Sequence, residues 1–192
     1  MIAIVKYNAG NISSVKNALN RLGHKSVITD DPETLRSAEK VIFPGVGEAS
    51  TAMAYLKDRG LDKVLVQLTQ PVLGICLGLQ LMCTASDEGN TMGLGIFDTK
   101  VRKFPPKEKV PHIGWNSFTK MEGSLFKGLE LTDDVYYVHS YYAEENHQTV
   151  ATCNYIEVFA CALAKENFYA TQFHPEKSAG VGEQILKNFL AI

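Results

Sequence analysis

What most constrains this chain is a rhythm that runs from Ile2 to Thr84. Short apolar, β-branched runs alternate with stretches whose apolar residues recur at helical spacing. Ile2 to Tyr7 (IAIVKY), Lys25 to Thr29, Lys40 to Phe43 and Pro71 to Cys76 have the length and composition of buried strands. Between the first two, Asn11 offers a cap, Ile12, Val15, Leu19 and Leu22 mark one face of a helix, and Gly23 supplies its stop. Amphipathic segments around Ala49 to Arg59 and Leu61 to Gln70, parted by Gly60, fill the gap before the fourth strand. Leu77 to Thr84 starts another helix, which would place Cys83 on a helix and suggest that it packs. Strands separated by helices call for parallel pairing, with helices covering both faces of the sheet.

From about Val101 the texture changes. Val135 to Tyr142, Thr149 to Cys153, Val158 to Ala164 and Tyr169 to Phe173 are short β-like runs, and Gly182 to Leu190 forms a closing helix. With 192 residues and neither repeats nor a linker-like tract, we expect one α/β domain over residues 1–192, antiparallel and β-rich in its later half.

Charge and cysteine usage narrow the function. A net charge of −2, with 45% hydrophobic and 21% charged residues, gives no electrostatic footprint for nucleic acid or an anionic membrane. The N-terminus lacks the long apolar stretch and small-residue cleavage site of a signal peptide, so a cytoplasmic location is expected. Cys76, Cys83, Cys153 and Cys161 form no C-x-x-C pair and have no zinc-finger spacing to histidine, so neither metal nor cofactor is expected.

Cys76 stands apart from the other three. Gly74-Ile75-Cys76-Leu77-Gly78 has the G-x-nucleophile-x-G form of a strand-to-helix elbow, with sulfur in place of a hydroxyl. Glycines on both sides suit a nucleophile held at an unfavourable φ/ψ, and a helix start favours thiolate. A buried thiol beside incidental glycines would look much the same, so the elbow alone does not decide the matter. Tyr169 to Glu176 (YATQFHPE) does more, because it brings His174 to the end of a strand. There His174 could take the thiol proton and return it to a leaving amine, while Pro175 turns the chain so that Glu176 reaches the other ring nitrogen. The order nucleophile, His, acid differs from that of the α/β-hydrolases. A third element, Pro44-Gly45-Val46-Gly47, could present backbone N–H groups to an oxyanion together with that of Leu77, although alone it is an ordinary turn.

Together, G-I-C-L-G-L-Q, Q-F-H-P-E and P-G-V-G resemble the class I (triad) glutamine amidotransferases. N-A-G-N at Asn8, P-H-I-G-W-N at Pro111, Y-V-H-S-Y-Y at Tyr137 and H-P-E-K-S at His174 resemble one branch of that family, the glutaminase subunits of imidazole glycerol phosphate synthases. The resemblance implies a flavodoxin-like three-layer α/β sandwich with a mostly parallel central sheet. It also implies a Cys76, His174 and Glu176 triad acting on L-glutamine. Gln80 and Glu88 would hold the glutamine head group and backbone at Ser140 and Tyr141 its carboxylate, while Gly45, Val46, Gly47 and Leu77 would line the oxyanion region. The partner it implies is a (β/α)8 cyclase subunit in a heterodimer, which receives ammonia and makes imidazole glycerol phosphate and an aminoimidazole carboxamide ribotide in histidine biosynthesis. Asn11, His112, Trp115 and Lys177 would meet that partner, although from the residues alone Trp115 could equally be a core aromatic and His112 could be satisfied in the core. Two rival readings stay open at this point, a stand-alone cysteine hydrolase and a non-catalytic interaction module.

Overall fold

A computed structural model describes residues 1–10 and 12–192, so the cap expected at Asn11 lies outside the described residues. The first half runs β1 (Ile2–Val5), α1 (Ile12–Arg21), β2 (Ser26–Thr29), α2 (Pro32–Ser37), β3 (Lys40–Gly45), α3 (Ala49–Asp58), α4 (Leu61–Val66), β4 (Val72–Cys76) and α5 (Leu77–Met82). β5 (Cys83–Ser86), β6 (Thr91–Met92), β7 (Phe97–Lys103), β8 (His112–Ser117) and β9 (Lys120–Met121) follow. The chain ends with β10 (Asp134–His139), β11 (Tyr141–Ala143), β12 (Thr149–Tyr155), β13 (Glu157–Lys165), β14 (Phe168–Thr171) and α6 (Ala179–Leu190).

The main sheet has the order β2-β1-β3-β4-β14-β13-β11-β7-β5-β6, and β12 pairs with β13 and β9. β2, β1, β3, β4 and β14 are all mutually parallel, and the sheet turns antiparallel at β13. Alternation within single strands shows why the apolar runs are continuous. Ile2 and Ile4 face α1 and α6 through Val15, Leu19, Ile185 and Phe189, whereas Ala3 and Val5 face Leu35, Met53, Leu56 and Leu65 on the opposite side. Helices therefore cover both faces, and every position of β1 is buried.

Register fixes which residues meet at the carboxyl end of the parallel strands. Gly45 of β3 pairs with Cys76, and Thr171 of β14 pairs with Ile75. The elbow and the segment that carries His174 therefore leave adjacent strands at the same edge, where open α/β sheets bind ligands.

Two local expectations change. α2 was not anticipated, although Asp31 caps it by accepting from the Thr34 N–H at 2.8 Å with Pro32 in the first turn. The helix after the elbow is shorter than its pattern suggests, and Cys83 opens β5 instead of continuing α5. The cause lies downstream: the N–H groups of Leu94, Gly95 and Ile96 bond the carbonyls of Leu81, Cys83 and Met82, which a longer helix would have needed. Among the described residues, no helix is long and apolar enough to cross a membrane.

Candidate active site

Cys76 sits at φ 54° and ψ −104° and is 5% exposed. A side chain at such an angle stores strain of about 1–3 kcal/mol, which the surrounding packing must hold in place. The flanking glycines explain how. A Cβ on Gly78 would run into the Phe43 carbonyl of β3, and one on Gly74 would meet Met82 Sδ at 2.8 Å and the Gly78 carbonyl carbon at 3.0 Å. The G-x-C-x-G pattern is thus what lets α5 lie directly on β3 and β4, and that close seating holds the thiol at the sheet edge.

His174 follows β14 in extended backbone and immediately precedes a short 3-10 turn, Pro175–Lys177. Its Nδ1 lies 2.8 Å from Glu176 Oε1, with both side chains buried. An ionised carboxylate only accepts hydrogen bonds, so Nδ1 carries a proton and Nε2 is the nitrogen left for chemistry. Nε2 has no hydrogen bond of good geometry among the described residues. Burial pushes the imidazole pKa down, but the charge and hydrogen bonding of Cys76, and then of Glu176, outweigh it and raise the value to about 10. The ring is therefore an imidazolium at neutral pH, ready to donate. Ser178 braces the turn, its hydroxyl donating to the His174 carbonyl at 2.6 Å and accepting from the Tyr136 N–H at 2.9 Å.

A cavity of about 290 Å³ opens over the thiol. Cys76, Leu77, Val46, Gly47, Gln80, Glu88, Ser140 and Tyr141 line it, joined by Pro111, Val138 and His139. At the small end of ligand sites, it suits a molecule the size of an amino acid. Glu88 accepts from the Ala49 N–H at 2.8 Å, and burial, reinforced by nearby Glu48, raises its pKa despite that bond. Gln80 Nε2 donates to the Tyr141 carbonyl at 3.0 Å and to Gln172 Oε1 at 3.1 Å. Gly45 differs from expectation: it is buried within β3, the Tyr7 hydroxyl occupies the space its Cβ would take, and it is not part of the cavity wall. The Val46 carbonyl accepts from the Gly10 N–H at 3.2 Å, and Gly47, at φ 138°, uses backbone freedom that only glycine has cheaply.

The residues expected at a partner surface divide. Trp115 is 52% exposed, with its ring edge-on to Tyr136 at 5.8 Å, and Lys177 is exposed immediately after Glu176. His112 is instead 4% exposed, stacked against Tyr155 at 3.9 Å and Tyr137 at 4.8 Å, so its side chain is core and not free contact surface. Its Nδ1 lies 3.0 Å from Nε2 of His139, whose Nδ1 donates to the Tyr141 carbonyl at 2.7 Å. Because that carbonyl can only accept, His139 Nε2 is the acceptor and His112 the donor. Burial lowers the pKa of His112 to about 4 and that of His139 to about 3, so both are neutral. Asn11 lies outside the described residues. His139, Gln172 and Ser178 received no role from the sequence. The signal for Gln172 was its place two residues before His174, just past the end of β14.

The family model for glutamine amidotransferase class-I matches residues 3–192. Imidazole glycerol phosphate synthase subunit HisH of Bacteroides fragilis (strain YCH46) is 57% identical over 194 aligned residues, covering 100% of this chain and 99% of that protein. The HisH protein of Bacteroides thetaiotaomicron is 56% identical, with 98% of each chain covered. Among solved structures, one described as a glutamine amidotransferase superposes with a TM-score of 0.77 at 17% identity, covering 100% of this chain and 98% of its own. Another, described as a GMP synthase component from Thermoplasma acidophilum, gives 0.76 at 22% identity, covering 100% and 92%. At those identities the two structures speak for the fold alone: a mixed α/β, flavodoxin-like sandwich. The sequence matches go further, and the chain belongs to the class-I glutamine amidotransferase family, among the imidazole glycerol phosphate synthase HisH subunits.

Proposed function

We propose that residues 1–192 form one glutaminase domain that hydrolyses L-glutamine to glutamate and ammonia and passes the ammonia to a (β/α)8 cyclase subunit. Together the two make an imidazole glycerol phosphate synthase. Cys76 Sγ attacks the side-chain amide carbon, and its oxygen becomes an oxyanion held by N–H groups of Leu77 and the Val46–Gly47 segment. The C–N bond breaks as His174 Nε2–H protonates the departing amine, leaving a glutamyl thioester on Cys76. His174, now neutral, takes a proton from water, hydroxide attacks the thioester, and glutamate leaves with the sulfur restored. Glu176 holds the ring in the orientation and protonation that both steps need. Gln80 and Glu88 bind the amino-acid head group, and backbone at Ser140 and Tyr141 receives its carboxylate. Trp115 and Lys177, exposed beside the site, form the docking surface for the cyclase.

The observation that carries this reading is the buried His174–Glu176 pair, at 2.8 Å, standing at the strand end beside Cys76 and under an amino-acid-sized cavity. A glutamine-analogue electrophile, mapped with and without the cyclase, tests it. Modification of Cys76 is expected, and labelling of another cysteine would overturn the assignment. Activity before docking should be low, because the Val46 carbonyl is tied to the Gly10 N–H and the peptide must reorient before its N–H can serve the oxyanion. Equal hydrolysis rates with and without the cyclase and its ligand would refute that gating.

A further inference from the structure

We propose that Gln172 is a positioning residue for the nucleophile, its side-chain amide holding Cys76 Sγ on one side and Gln80 on the other. The inference rests on the glutaminase reading and deepens it. Gln172 is fully buried, its Nε2 is 3.7 Å from Cys76 Sγ, and its Oε1 accepts from Gln80 Nε2 at 3.1 Å.

A side-chain amide is nearly symmetric in shape, so the case depends on which end faces sulfur, and the hydrogen-bond network decides that. The Tyr141 carbonyl can only accept, so the Gln80 group facing it at 3.0 Å must be its NH2. That NH2 also reaches Gln172, which must present its oxygen there. The remaining end of Gln172, its NH2, is thereby turned to the thiol. A donor in that position favours a negative sulfur and limits where the sulfur can swing. The backbone makes the placement rigid, because the Gln172 N–H bonds the Cys161 carbonyl at 2.8 Å and the His174 N–H bonds that of Tyr136 at 2.9 Å. One short segment therefore fixes both the imidazole and the amide against the sulfur. A buried polar side chain is costly unless its ends are satisfied, and among the described residues the partners of this one, Gln80 and Cys76, both line the site.

Among the described residues, the other titratable groups around the sulfur are His174 with Glu176 behind it, the Tyr7 hydroxyl beyond β1, and Glu88, His139 and Tyr141 in the wall of the same cavity. None of them is removed when Gln172 is changed, so a comparison of variants tests the amide itself.

The experiment follows iodoacetamide alkylation of Cys76 in the full chain against pH, with the modified peptide quantified by mass spectrometry. Gln172→Met keeps length and volume but removes the donor, and Gln172→Glu keeps shape and turns an acceptor to the sulfur. The alkylation midpoint should rise by about one pH unit in the Met variant and further in the Glu variant. Both should lose glutamine turnover chiefly in kcat. A purely structural role would lower the melting temperature and leave the midpoint where it is in wild type; that result, in whichever variant folds, overturns the proposal. If the wild-type chain with its cyclase hydrolyses no glutamine, the glutaminase reading fails, and the alkylation midpoints still decide whether Gln172 governs the sulfur.

Discussion

The buried pair His112 and His139 should make the fold sensitive to mild acid by a calculable amount. Both are held neutral by burial, with pKa values lowered to about 4 and about 3. A histidine in the unfolded chain titrates near 6.5. A group depressed in the folded state contributes stability that is whole above the unfolded value and is lost as pH falls toward the folded one. At about pH 5 the unfolded chain has taken up both protons and the folded chain almost none. The loss is then set by the unfolded histidine, about 1.5 units at 1.36 kcal/mol each, or about 2 kcal/mol per residue. Against a total of about 5–15 kcal/mol for a domain, two such losses are large.

His174 works in the opposite direction. Its pKa is raised to about 10, so its contribution is complete below the unfolded value and is lost as pH rises through 10. Carboxylates add terms of their own. A comparison with His139→Asn cancels them all, because the Asn amide can keep a donor near the Nδ1 position toward Tyr141 while removing the titration. Urea unfolding at about pH 7.5 and about pH 5 should show the wild type losing about 2 kcal/mol more than the variant between the two conditions. Equal losses would refute the argument, because they would mean that His139 is free to take its proton inside the fold.

Three further outcomes follow from the site. Cys76→Gly and Cys76→Ala both abolish glutamine hydrolysis, but the Gly variant should be the more stable by about 1 kcal/mol in urea unfolding, since only glycine tolerates φ 54° without strain. Gly78→Ala should destabilise by about 2 kcal/mol or more, measured the same way, because the new Cβ meets the Phe43 backbone carbonyl and not a side chain that can yield. Trp115→Ala should leave the melting temperature of the free chain unchanged, the ring being half exposed, yet weaken binding to the cyclase about tenfold or more in calorimetry.

What could be read from the sequence depended on the range of the interactions involved. β1, β3 and β4 announce themselves because a strand buried on both faces must be apolar throughout, and α1 because Gly23 at φ 81° closes it. The position of Cys76 at a strand-to-helix turn and the contact of His174 with Glu176 were legible because glycine spacing and the short H-P-E turn are local signals. α5 was misjudged at its end because the groups that terminate it come from residues 94–96, which no periodicity within the helix reports. His112 was placed on the partner surface by its motif, whereas the structure stacks it between Tyr137 and Tyr155, a contact spanning 43 positions in sequence. Gln172 stood in plain view within Q-F-H-P-E, but its partners Gln80 and Cys76 lie more than ninety residues away.

Those long-range contacts join into one path. β8 pairs with β10 as a two-stranded ribbon separate from the main sheet, with Trp115 opposite Tyr136 and His112 opposite His139. From His112 the hydrogen bonds run to His139, to the Tyr141 carbonyl, to Gln80, to Gln172 and finally to Cys76. The Tyr141 carbonyl, which can only accept, assigns the donors on both sides of it, so no link next to it can reverse alone. A shift of the ribbon large enough to move His112 must break a buried bond or carry the Tyr141 carbonyl, and with it Gln80, along. Leaving one such group unpaired costs about 1–3 kcal/mol. Trp115, three residues along the strand from His112, lies on the same ribbon that starts this path.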